Sequence, residues 1–112
     1  MKLVVAVIKP FRLGDVIAAA MDAGASGATV TEARGFGRQG GHSETYRGQE
    51  YLIELVPKSY VELLVDDLAV PAVVAAVAGA ARTGKIGDGK IWVRDVDDIL
   101  RVRTGETGAD AV

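Results

Sequence analysis

The chain contains no cysteine. That excludes a disulfide framework, a thiolate zinc site and a cysteine nucleophile. Aromatic residues make up only 5% of the 112 positions, against 49% hydrophobic residues in all. The core must therefore consist mainly of Val, Ile, Leu and Ala. No sign of charge dominates: the net charge is −2 at pH 7, which argues against nucleic-acid binding through a basic face. The opening MKLVVAVIKP is apolar for a few residues only. It is too short for a secretory h-region and far too short to span a bilayer, so the expected location is cytoplasmic. One domain with a real core is expected at this length.

What is present alternates between two periods. Residues 2–9 are rich in valine and stop at Pro10, which reads as a strand with both faces apolar. Leu13, Val16, Ile17, Ala20 and Met21 then fall on one face of a helix, with Asp15 in its first turn and Gly24 as its stop. Residues 28–35 read as a second strand. Residues 51–56 and 60–65 read as a third, interrupted or bulged near Pro57. Val70, Val73, Val74, Val77 and Ala81 mark a second helix with Pro71 in its first turn. A glycine-rich loop and a short strand at 90–94 follow. The last segment has one turn or strand around 100–103 and then a polar, loose tail from about 104 to 112.

This order gives two βαβ units and an α+β, ferredoxin-like βαββαβ fold with a long loop between the second and third main strands. Helices would cover one face of such a sheet. A first strand apolar on both faces then implies that the other face is also covered, and self-association is the expected cover. The plain alternative leaves its outer valines exposed.

The long loop is residues 35–51, GFGRQGGHSETYRGQEY, with five glycines and the single histidine. It shows neither period, and its flanks read as strands. So long a loop in a compact domain is usually functional, and a mobile arm at about 37–51 is expected. His42 has no serine elbow and no fixed acid, so it reads as a solvated loop residue rather than a base.

Three pieces invite anion chemistry. Residues 84–90, GKIGDGK, match the Walker spacing, but Ile91 stands where Ser or Thr is needed and the loop leaves a helix rather than a strand. What remains is either an anion nest of backbone N–H groups aided by Lys90, or a plain turn with an exposed lysine. Gly35-Phe36-Gly37-Arg38-Gln39-Gly40 matches G-x-G-x-x-G but opens no helix, and it also fails as an RNA-recognition motif. Arg101 and Arg103 would share one face if extended, a pairing suited to phosphate. A solvated basic strand, or pairing with Asp95, Asp97 or Asp98, is the simpler reading. Glu62 and Lys58 are each compatible with a solvated surface or with a ligand contact.

Taken together, the chain resembles the PII family of nitrogen-regulatory signal-transduction proteins. The matching stretches are VIKPF at 7–11, TVTEARGFGRQ at 29–39, YRGQEY at 46–51, ARTGKIGDGKIWV at 81–93 and RVRTGETG at 101–108. The resemblance implies a homotrimer that binds ATP or ADP between subunits. Gly87, Asp88, Gly89 and Lys90 would meet the phosphates, with Arg101, Val102 and Arg103 arriving from the neighbouring chain. Gly35, Phe36, Gly37, Arg38 and Gln39 would lie beside them, and Thr29, Glu62 and Leu64 would hold the adenosine end. The resemblance also implies 2-oxoglutarate binding with Mg-ATP. There Gln39 helps hold Mg2+, while Lys58, Gln39, Gly40, Gly41 and Gly87 hold the acid. The arm would then change conformation and be read by Amt-type ammonium transporters and nitrogen-metabolism enzymes. Contact with a membrane would arise only through such a transporter.

Tyr51 matches the position that carries a nucleotidyl group in many members. The sequence departs from the pattern at Gly40, where lysine is common, and Gln49 offers no hydroxyl for phosphorylation. No positioned general base is visible, so a binding protein is expected rather than an enzyme. The rival readings are a PII-like nucleotide-binding regulator of another pathway and a slow ATPase.

Overall fold

The computed structural model describes residues 1–37 and 54–112, together with the backbone of 45–46 and 49–50. Its elements are β1 (Lys2–Ile8), α1 (Leu13–Asp22), β2 (Thr29–Gly35), β3 (Thr45–Tyr46), β4 (Gln49–Glu50), β5 (Val56–Val65), α2 (Val70–Ala81) and β6 (Gly89–Asp95). The main sheet has the order β2-β5-β1-β6, and each neighbouring pair is antiparallel. Strands β1 and β2, joined through α1, therefore run parallel with β5 between them. Strands β5 and β6, joined through α2, do the same around β1. This interleaving is the ferredoxin-like arrangement.

Alternation along the strands separates two faces. Val4, Ala6 and Ile8 of β1 and Val61, Leu63 and Val65 of β5 face the helices. There they form one buried cluster with Val16 and Ala20 of α1 and Val73, Val77 and Ala81 of α2. Fully burying each Val, Leu or Ile of this set contributes about 1.5–3 kcal/mol. The helices cover the two central strands best. On the flanking strands, Val30 of β2 and Val93 of β6 remain 42% exposed. Helix α1 starts from a 3-10 turn at Pro10–Arg12 and ends where Gly24 takes φ 115°. The Ala25 N–H then reaches back to the Ala20 carbonyl, a glycine-dependent stop.

The other face carries Leu3, Val5 and Val7 of β1, flanked in register by Tyr60, Glu62 and Leu64 of β5 and by Lys90, Trp92 and Arg94 of β6. Among the described residues no helix lies on it. Val5 is nonetheless fully buried. Tyr60 and Trp92 stand on the strands either side of β1, yet their rings meet edge to face at 6.4 Å, leaning together across it.

Two expectations change. The third main strand is not interrupted at Pro57: β5 runs through it and pairs Pro57 with Arg34. Strand β1 ends opposite Ser59, so Pro57 has a neighbour on one side only and its missing N–H costs no ladder bond there. Residues 51–53, expected in that strand, lie outside the described residues. The segment around 100–103, read as one turn or strand, is a turn. The tail is not loose. Leu100 bridges to Thr107, Gly105 at φ 73° turns the chain, and Gly108–Ala111 forms a 3-10 turn. Within the long loop, β3 pairs with β4; two-residue strands are too short to show a period.

Candidate ligand-binding site

One candidate region lies where α2 runs into β6. Gly84, Gly87 and Gly89 all have positive φ, at 83°, 95° and 105°. Gly89 is also required sterically, because a Cβ there would stand 1.7 Å from the Val7 carbonyl oxygen. The loop folds around its own acid. The Asp88 carboxylate accepts the Thr83 N–H at 2.8 Å, the Gly84 N–H at 2.9 Å and the Thr83 hydroxyl, and it pairs with Lys9 Nζ at 3.2 Å. The Thr83 hydroxyl above all, then the two amides and Lys9, hold the Asp88 carboxyl well below the usual carboxylate range, against a partial burial that acts the other way. The nest expected from the glycines therefore exists, but its leading amides cradle an internal anion. The Ile86 and Gly87 amides donate to no other described residue.

Lys58 closes the region from β5. It is 8% exposed, and its ammonium donates to the Gly87 carbonyl at 2.7 Å. Lys90 stands exposed on β6, opposite Val7. Cationic groups and backbone donors thus converge on one loop, a set suited to phosphate or carboxylate oxygens.

A second region lies at the other end of the same open face. Leu3, Ser26, Gly27, Ala28, Thr29, Glu62, Leu64 and Val112 line a cleft of about 410 Å³. Thr29 pairs directly with Glu62, which explains how residues so distant in sequence meet. Arg101 stands beside this cleft. Its guanidinium pairs with Glu106 at 3.0 Å and donates to the Val112 carbonyl at 3.3 Å. Val102 and Arg103 point to solvent. Because Arg101 and Arg103 lie in a turn, spacing in an extended strand does not align them, and the partner of Arg101 is Glu106 rather than Asp95, Asp97 or Asp98.

The structure therefore brings Gly87, Asp88, Gly89 and Lys58 together, with Lys90 following on β6, and separately brings Thr29, Glu62 and Leu64 together. It does not bring the two groups to each other within one chain. Lys58 and Leu64 share a face near opposite ends of β5, roughly 20 Å apart at about 3.3 Å per residue. Gly35 closes β2 opposite Val56, and Phe36 and Gly37 follow it exposed. Arg38, Gln39, Gly40, Gly41, His42 and Tyr51 lie outside the described residues. Reading by sequence missed Lys9, Thr83 and Val112. Lys9 passes for the end of a strand and Thr83 for the end of a helix; neither carries a motif signal of its own.

Among the described residues no helix is long and apolar enough to cross a membrane. The sequence pattern of the family described as nitrogen regulatory protein P-II matches residues 1–106. The chain is 53% identical, over the whole of both sequences, to the nitrogen regulatory protein P-II of Mesorhizobium japonicum and to that of Rhizobium meliloti. It is 52% identical, again over both full lengths, to that of Rhodobacter capsulatus. All three are named as regulatory proteins. On this full-length similarity and this fold, the chain belongs to the nitrogen regulatory protein P-II family.

Proposed function

We propose that the chain is a homotrimeric, non-enzymatic sensor of ATP or ADP and of 2-oxoglutarate. The observation that carries this reading is the split site. Groups suited to phosphate stand at both ends of one open face, Lys58 and the 84–90 loop at one and Arg101 at the other. These ends lie too far apart for a single phosphate chain to touch both. A neighbouring copy, packed through the apolar strip of Leu3, Val7, Leu64 and Trp92, joins one chain's loop end to the next chain's cleft end. Burial of that strip drives the association.

In such a cleft the adenosine end rests on Thr29, Glu62 and Leu64. The phosphates meet the loop amides, Lys90 and the neighbour's Arg101 and Arg103. Arg101 leaves Glu106 to do so. The donor set fits: Gly89 admits close backbone approach and Lys58 is already aimed at the loop. Mg2+ would be held by Gln39 and nucleotide oxygens, and it would supply the charge that anchors the 2-oxoglutarate. Lys58 would take a carboxylate of that acid, with Gly40, Gly41 and Gly87 beside it. The ligand then biases the arm at its base, and partner proteins read the arm. This is a population shift driven by differential contacts. Amt-type ammonium transporters and nitrogen-metabolism enzymes are the proposed partners, in the cytoplasm, and Tyr51 is the proposed site of nucleotidyl modification.

Calorimetric titration with 2-oxoglutarate, with and without Mg-ATP, tests the reading. Binding only in the presence of Mg-ATP is expected. ATP binding without any response to 2-oxoglutarate would instead favour a regulator of another pathway, and steady phosphate release above background would favour a slow ATPase.

A further inference from the structure

We infer that Lys9 is a positioning residue for anion binding at the 84–90 loop, acting through Asp88. The inference rests on the nucleotide reading above and extends it to a residue outside the expected contact set.

The geometry has three parts. First, Asp88 shapes the loop. Its carboxylate gathers the Thr83 and Gly84 amides and the Thr83 hydroxyl, and that hydroxyl in turn accepts the Lys85 N–H at 3.2 Å. The residues flanking the positive-φ glycines are thereby closed into one hydrogen-bonded ring. Second, Lys9 ties that ring to the sheet. Its ammonium reaches both Thr83 Oγ1 at 3.1 Å and Asp88 Oδ1 at 3.2 Å. Lys9 follows directly on Ile8, which pairs with Gly89 on one side and Ser59 on the other, so the tie is made to the central strand. Lys58 makes the matching tie from β5 to Gly87.

Third, the charge is in the wrong place without Lys9. Asp88 adjoins Gly89 and Lys90, where phosphate oxygens would arrive. An uncompensated carboxylate there repels them. The two side chains are only 19% and 24% exposed, so water screens this repulsion poorly. Lys9 neutralises the acid that the loop needs for its shape. A merely structural pair would stabilise the fold and leave ligand affinity alone; a pair that both fixes and neutralises the loop affects binding directly.

The test uses the full chain and titrates wild type, Lys9→Met, Lys9→Arg and Asp88→Asn with Mg-ATP, following thermal unfolding of each in parallel. Lys9→Met is expected to weaken Mg-ATP binding roughly tenfold or more, the scale of one charge-assisted hydrogen bond lost. Lys9→Arg restores most of it. Asp88→Asn keeps the size but loses the charge, and it weakens binding through the loop's shape. In the Asp88→Asn background, adding Lys9→Met should cost no further affinity. Folded Lys9→Met with wild-type affinity overturns the inference alone. So does a failure of Lys9→Arg to recover affinity while it recovers unfolding temperature. Failure of wild type to bind Mg-ATP overturns the nucleotide reading, and this inference with it.

Discussion

The two ends of the open sheet face solve different problems with different chemistry. At the loop end, partly buried charges are locked: Lys58 on the Gly87 carbonyl, Lys9 on Asp88, Asp88 on two backbone amides. At the cleft end the lining is largely apolar or uncharged. Its nearest charged pair, Arg101 with Glu106, is 39% and 44% exposed. Water competes for such a pair, so it holds weakly and can exchange partners. The difference teaches that one end is held rigid by its own contacts while the other can rearrange. The proposed site between subunits would benefit from both, since a rigid half can guide an adaptable one.

The largest expected effect separates the ends by their glycines. Gly89→Ala drives a Cβ into the Val7 carbonyl at a positive φ, so it should cost at least about 2 kcal/mol of stability in denaturant unfolding. Gly105 also has positive φ, but a Cβ there meets nothing within 4 Å, so Gly105→Ala should cost only about 1 kcal/mol. Equal losses would show that the loop end is not the tighter of the two.

A mixing experiment sharpens the comparison further. Lys90→Ala removes the loop end and Glu62→Ala removes the cleft end, and each variant alone should bind Mg-ATP poorly. Co-refolded at equal amounts, they should recover about a quarter of the wild-type sites if, as proposed, each site draws one end from each of two chains. No recovery would place both ends of a site in a single chain. The smallest effect is expected at the exposed pair. Glu106→Gln should change stability by less than about 1 kcal/mol in the same unfolding assay. A larger loss would mean that the tail is locked as firmly as the loop.

Much of this was readable before folding. The 3.6-residue pattern from Leu13 to Met21 and from Val70 to Ala81 locates both helices within a residue or two. The apolar pattern of β1 marks the core on one face; on the other, Val5 is already buried within the single chain, which the pattern did not indicate. The glycine loop was legible as an anion nest or a plain turn, because closely spaced glycines suit both. Its occupation by Asp88 was not, because a carboxylate set between two glycines carries no mark of where it will point. Pro57 misled for a related reason. Proline breaks a ladder only where its N–H is needed, and the register decides that. Arg101 and Arg103 misled because spacing is informative only once the backbone state is known.

The amino-acid order by itself determined the element types, the family and the chemical character of each segment, since periodicity and composition act over a few neighbouring residues. Tertiary structure alone decided which segments meet. Lys9 and Asp88 lie on opposite sides of two helices and a long loop in the chain, and Thr29 and Glu62 are separated by that loop. They come together because antiparallel pairing with β5 and β1 sets their register, and register is a property of the sheet rather than of any stretch of residues.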